Sequence, residues 1–284
     1  MRILVVGANG RTGRHVVAAL QARPERPFIR GLVRRPFRGE GVESVEGDLD
    51  TPADRRRAVE GMDVVIHYGP TLDPRETSMG TGMIDAAIAA GVSRFIYISV
   101  IHPQIDDLMN HQAKLAVEAH LLDTDLDWTI LRPQHYMQNI DVAQAVASGR
   151  VAMPYPVGTV LGHVDMADLA EVAAMVALEP GHSFASYDIA ADEHLSVTDI
   201  CDALRRLSGA EVQAAEISPD DLIRAVKSHH PLSTYAIEAI HRLFGYYARR
   251  GIAGNARVLT WLLGRQPTTF DAYAARCLKE SATG

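Results

Sequence analysis

Three glycines at intervals of three, in Gly7-Ala8-Asn9-Gly10-Arg11-Thr12-Gly13, carry the plainest chemical signal in this chain. They follow a short apolar run and open a helical pattern, the setting in which a glycine turn offers main-chain N–H groups to a diphosphate. Gly7 permits the tight turn, Gly10 lets the backbone approach the phosphates, and Gly13 lets the helix pack close to the strand. The helix amino terminus adds partial positive charge. This context reads as a dinucleotide site. The alternative is an ordinary strand–turn–helix that happens to be rich in glycine.

An NAD site places an acid about 20 residues further on, at the end of the second strand, to hold the ribose 2′-OH. Here Arg34 stands in that place, followed by Arg35. A guanidinium clasps a 2′-phosphate through two parallel hydrogen bonds and can lie flat on an adenine ring. Arg11, inside the turn, is close enough in sequence to reach the same phosphate. Two arginines and no acid favour NADP (NADPH) over NAD; the alternative is a solvated basic edge.

The elements that must position these residues alternate. Residues 3–6, 28–33, 42–46, 62–67, 94–99 and 128–131 read as strands, mostly apolar runs of the kind buried on both faces of a sheet. Helical patterns fall over 12–22, from Thr51-Pro52 onward, over 76–90 with a stop at Gly91, and over 106–122 with acids in its first turn. The expected fold is α/β, a Rossmann-type doubly wound parallel sheet, with a smaller, mainly helical C-terminal substrate lobe. Its ligands sit at the carboxyl ends of the strands, which here carry Gly7, Arg34, Asp48, His67, Ser99 and Pro133. The expected organisation is a nucleotide domain over residues 1–150, with 164–190 returning to it as a helix and a strand, and a lobe over 191–284. In that lobe, helical patterns cover 196–208, 234–250, 255–264 and 268–279, and Ser218-Pro219 starts another helix.

Composition bounds the function. Hydrophobic residues make up 47% and charged residues 22%, which implies a buried core and excludes a disordered chain. A net charge of -7 leaves no general basic footprint for nucleic acid. No stretch reaches the ~18 apolar residues that span a membrane. A fold that starts at the second residue leads us to expect no targeting segment and a cytoplasmic protein. Cys201 and Cys277 are expected to be reduced, buried thiols.

Several segments together resemble the NmrA-like branch of the atypical short-chain dehydrogenases/reductases, which also holds isoflavone-reductase-like proteins. They are Val6-Gly7-Ala8-Asn9-Gly10 with Gly13, Leu32-Val33-Arg34, Gly47-Asp48-Leu49, Phe95-Ile96-Tyr97-Ile98-Ser99, and Trp128-Thr129-Ile130-Leu131-Arg132-Pro133 with Asn139. Val164-Asp165-Met166-Ala167-Asp168-Leu169-Ala170 and Leu263-Gly264-Arg265-Gln266-Pro267-Thr268-Thr269-Phe270 extend the match over nearly the whole length.

The resemblance implies that Gly7, Asn9, Gly10, Arg11, Thr12, Gly13, Arg34, His67, Ser99 and Pro133 line the cofactor. It also implies that Asp48 accepts from the adenine amino group and that Leu49 covers the ring. On spacing alone Asp48 reads equally as a helix-capping carboxylate. The superfamily's usual catalytic pair is Tyr-x-x-x-Lys, in which the lysine holds the nicotinamide ribose and lowers the tyrosine pKa. Lys114 matches the lysine, but the tyrosine's place is Asn110, and an amide is not a titrating acid. The alternative for Lys114 is a surface lysine paired with Glu118 at i,i+4.

Hydride transfer would then need another proton donor. Candidates are Lys114 itself, His111, His135, His102 and Tyr136, with His111 and His135 foremost because histidine titrates near neutrality. The histidine spacings match no compact zinc pattern, and no metal is expected. On the substrate side the resemblance implies the segment Pro133–Asn139, with Tyr136, Met137 and Asn139, against the carboxyl-terminal helices, and His102 is a further candidate. Phe244, Tyr246, Tyr247 and Trp261 join Met137 either as walls of an apolar cleft or as lobe core. Three functions compete. The first is an NADP-dependent oxidoreductase passing hydride to a small apolar carbonyl, quinone or enone. The second is an NADP-binding sensor that regulates a protein partner without turnover. The third is a non-redox isomerase or cyclase using the same cleft.

Overall fold

Through the first half of the chain the apolar runs become strands and the periodic segments become helices, in alternation. The computed structural model describes residues 1–37 and 39–283. β1 (Arg2–Val6) leads through the glycine turn into α1 (Arg11–Ala22) and β2 (Phe28–Val33). β3 (Val42–Glu46), α2 (Pro52–Val59), β4 (Val64–Tyr68) and α3 (Glu76–Ala89) follow, then β5 (Arg94–Ile98), α4 (Met109–Leu122) and β6 (Asp127–Pro133). One difference from the sequence reading is instructive. The helix expected from residue 106 begins at Met109, so Asp106 and Asp107 lie in the preceding turn and its first turn carries no acid.

The rest of the chain alternates less regularly. β7 (His135–Tyr136), α5 (Val142–Ser148), β8 (Arg150–Met153), β9 (Leu161–Val164), α6 (Met166–Leu178) and β10 (Ala185–Ile189) come first. β11 (His194–Leu195), α7 (Val197–Ser208), β12 (Gln213–Glu216) and α8 (Pro219–Lys227) lead into the closing helices α9 (Thr234–Arg250), α10 (Arg257–Leu263) and α11 (Phe270–Thr283). Among the described residues no helix is long and apolar enough to cross a membrane.

The chain divides into two compact units. The first holds Met1–Ile105, Asn110–Pro133 and Met166–Asp188; the second holds Asp106–Met109, Gln134–Asp165 and the chain from Ile189 onward. Residues 134–150, which the sequence places in the nucleotide domain, cluster with the second unit. The cause is strand pairing: β7 pairs with β9, and β9 with β11, in a small sheet of their own.

In the first unit the sheet order is β10-β6-β5-β4-β1-β2-β3, and β1 to β6 pair in parallel throughout. That is a Rossmann-type sheet, whose order reverses between β1 and β4. On one face Val65, Phe95, Tyr97 and Ile130 pack with Met83 and Ile84 of α3 and with Val117 and Leu121 of α4. α1 and α6 pack against each other, and α6 also meets β4 and β5. Full burial of each such side chain contributes about 1.5–3 kcal/mol, and this core holds the loops at the carboxyl ends in place.

Candidate functional site

Gly7 sits at φ +69, in the left-handed region that glycine adopts without strain, and a Cβ there would point into open space. Its N–H donates to the Leu32 carbonyl at 3.0 Å, and the Gly10 N–H donates to the Gly7 carbonyl at 2.8 Å, which closes the turn. Gly13 is constrained by contact: a Cβ there would lie 2.2 Å from the Gly7 carbonyl oxygen and 2.8 Å from the Ala8 Cα. α1 therefore starts hard against the turn. Its cap residue is Gly10, no side chain caps it, and no acid lies in its first turn. The leading N–H groups of a helix have no acceptor within it, so the start of α1 suits an anion. Thr12, the second residue of α1, is buried.

Asn9 ties this turn to the end of β2. Its side-chain amide donates to the Arg35 carbonyl at 2.7 Å and to the Pro36 carbonyl at 3.3 Å. The loop that carries Arg34 and Arg35 is thus held against the glycine turn, with both arginines exposed, as is Arg11. Asp48 is exposed too. Its carboxylate accepts from the Asp50 N–H at 2.9 Å, a turn contact, and no side chain caps α2 at Thr51. Leu49 is half buried against the core beneath.

Further along the carboxyl edge the arrangement departs from the sequence reading. The His67 ring is buried, stacks on Tyr97 at 5.7 Å and has no hydrogen-bond partner on either nitrogen. Burial, with Lys114 nearby, pushes its pKa down to about 3. His67 thus belongs to the core, and Tyr68, half buried at the strand end, is the side chain beside it that reaches the edge. Ser99 and Pro133 are buried; the Ser99 N–H donates to Leu131 and the Pro133 carbonyl accepts from Ile101.

Lys114 is neither a surface lysine nor a partner of Glu118. Its ammonium bonds Glu76 of α3 at 2.5 Å, and the two side chains are 3% and 1% exposed. Glu118 pairs instead with Arg132 on β6, at 2.6 Å. Glu76 opens α3, 38 residues before Lys114, and has no role in the sequence reading.

His111 is buried. Its Nδ1 lies 3.0 Å from the His102 carbonyl, to which it can only donate, so a neutral ring carries its proton there. Burial pushes its pKa down to about 4, which corrects the expectation of a donor that titrates near neutrality. The carbonyl it binds belongs to a residue in the left-handed region, His102 at φ +51. Asn110, in the missing tyrosine's place, is buried.

In the second unit, the His135 ring meets His163 edge-on at 5.2 Å and Tyr247 at 5.9 Å, and its Nε2 lies 3.1 Å from the Asn139 amide. Tyr136 is half buried beside it. Met137 and Tyr247 are core residues, Phe244 and Tyr246 are half buried, and Trp261 is 67% exposed. The Phe244 ring stacks on Tyr155 at 6.2 Å. Of the two thiols, Cys201 is buried and Cys277 only half buried.

The model of the NmrA-like family matches residues 1–274. A (4-alkanoyl-5-oxo-2,5-dihydrofuran-3-yl)methyl phosphate reductase from Streptomyces griseus is 30% identical over 234 residues, 81% of this chain and 82% of its own. Quinone oxidoreductase 2 of Escherichia coli is 26% identical over 273 residues, 94% of this chain and 95% of its own. The NADPH complex of the E. coli enzyme superposes with a TM-score of 0.80 at 24% identity, over 97% of this chain and 99% of that one. Triphenylmethane reductase from Citrobacter sp., solved with NADP(H), gives 0.82 at 21%, over 97% and 99%. With a family match over almost its whole length and the same parallel sheet, the chain belongs to the NmrA-like family.

Proposed function

We propose that this protein is an NADP-dependent oxidoreductase that reduces a small apolar carbonyl, quinone or enone. The observation that carries the reading is the joined pair of loops in the first unit. An uncapped helix start on a glycine turn is tied by Asn9 to a strand end that carries Arg34 and Arg35 and no acid. The open space over Gly7 and the close packing at Gly13 fit a diphosphate lying over the turn. Arg34, with Arg35 and Arg11, binds the 2′-phosphate; Asp48 and Leu49 hold the adenine. The relatives named as a reductase and a quinone oxidoreductase support the reaction class. NADPH, when bound, supplies the hydride.

The chain's own contribution is to bind and orient. Lys114 places a fixed positive charge beside the strand ends. His111, with its one proton engaged by a carbonyl, is not the acid at neutral pH, which leaves solvent, His135, His102 and Tyr136 as sources of the proton. The test is oxidation of NADPH, followed at the nicotinamide absorbance, against a panel of quinones, enones and aldehydes. Turnover with at least one member, in excess over enzyme, is the expected result. Replacement His135→Asn tests the foremost of these: a drop in kcat of about tenfold or more at unchanged NADPH affinity assigns the proton to His135, and an unchanged kcat excludes it.

A second reading has its own support. The buried Asn110 leaves the superfamily's usual acid absent, which favours an NADP-binding sensor with a protein partner. Tight NADPH binding with no oxidation by any member of the panel decides for that reading.

A further inference from the structure

The Lys114–Glu76 pair joins α3 to α4. The Thr77 hydroxyl donates to the Ala113 carbonyl at 3.2 Å, linking α3 to α4. A Cβ on Gly80 would lie 2.6 Å from Val117 Cγ2, so a glycine is what admits the neighbouring helix. Gly69, just after β4, leaves the space in which the Glu76 carboxylate lies: a Cβ there would be 3.3 Å from Glu76 Cγ and Oε1. The Tyr68 ring stands 5.1 Å from the ammonium. Lysine is a rare choice in this chain, since of its 28 lysines and arginines only Lys114, Lys227 and Lys279 are lysines. The ammonium bonds one Glu76 oxygen, Oε1, and the other, Oε2, is buried with no hydrogen-bond partner, so the whole carboxylate faces inward with the lysine.

We propose that Glu76 is the positioning residue for Lys114, fixing its ammonium at the carboxyl end of the parallel sheet so that it acts on the bound nucleotide as a permanent charge and never as a proton donor. This rests on reading the first unit as the NADP site. A buried charge is stable only when its partner offsets the loss of water. The groups that face Lys114 are Glu76 from α3, Tyr68 and His67 from β4, Tyr97 from β5, and His111 on its own helix. Burial opposes the charge, but the Glu76 carboxylate outweighs burial and holds Lys114 above the ordinary lysine range.

The full-length protein, labelled with 13C at the lysine Cε and followed by NMR from about pH 7 to about pH 11, tests this, with labelled N-acetyl-lysine amide and a short lysine peptide as added references titrating near 10.4. In the wild type the Lys114 signal is expected to stay in place while the references shift. In E76Q it is expected to titrate about one unit or more below them. The affinity of E76Q for NADPH, read by nicotinamide fluorescence, should fall roughly tenfold between about pH 8.4 and about pH 10.4, as the lowered lysine loses its proton, against less than about twofold for the wild type. E76D should behave as the wild type.

A wild-type Lys114 that titrates with or before the references overturns the proposal, and that result needs no variant to fold. So does an E76Q profile that superposes on the wild type. K114M that binds NADPH as tightly as the wild type overturns the role of the charge at the nucleotide. Failure of the wild type to bind NADPH at all overturns the functional reading instead, and leaves the lysine titration to stand or fall separately.

Discussion

Three buried histidines govern how the protein meets acid. Burial pushes His67 down to about 3, and His111 and His163 to about 4, while an unfolded histidine titrates near 6.5. Between those values the unfolded chain binds protons that the folded chain refuses, so stability is complete above about 6.5 and is lost as pH falls toward the folded values. Each histidine contributes a slope of roughly 1.4 kcal/mol per pH unit in that window. Thermal melts from about pH 7.5 down to about pH 5 should show Tm falling steadily, and His67→Phe, which keeps a ring against Tyr97, should shallow the fall. A Tm independent of pH over that window would contradict this account. Single positions were only partly readable from the sequence. The glycines and Arg34 announce themselves by spacing, because turn geometry and strand ends are local. Lys114 suggested Glu118, four residues on, yet its partner Glu76 is 38 residues away in sequence, and no local pattern encodes a pairing made by two helices meeting.

Helix starts and helix contacts yield to single changes. Ser196 caps α7 by accepting from the Asp199 N–H, while the Asp199 carboxylate accepts from the Ser196 N–H at 2.9 Å. Ser196→Ala should lower stability by about 1 kcal/mol in urea unfolding, with Asp199→Ala close behind. Gly13→Ala acts at the start of α1, where its methyl would meet the Gly7 carbonyl at 2.2 Å. A loss of about 1–3 kcal/mol of stability together with weakened NADPH binding is expected, and unchanged binding would show that α1 need not pack so closely. The long helix α9 follows from its periodicity and falls over 234–250, as its residues suggest; β3 falls over 42–46, as expected. The short strands β7 and β11, two residues each, leave no periodic trace, and their pairing with β9 is a tertiary fact. That pairing moves residues 134–150 into the second unit.

For the molecule as a whole, the strand order sets where a ligand is met. The order of the parallel sheet reverses between β1 and β4, and the glycine turn leaves β1 at that point. A nucleotide bound there should raise the stability of the folded chain, by about 2.7 kcal/mol at a hundred times its Kd. NADPH should therefore raise Tm more than NADH at equal concentration. Calorimetric titration of the wild type and Arg34→Ala with NADPH and with NADH tests the central claim most directly. The wild type is expected to bind NADPH at least about tenfold more tightly than NADH, and Arg34→Ala to lose most of that preference while its NADH affinity is unchanged. Equal affinity for the two nucleotides in the wild type, or a preference that survives Arg34→Ala intact, would contradict it.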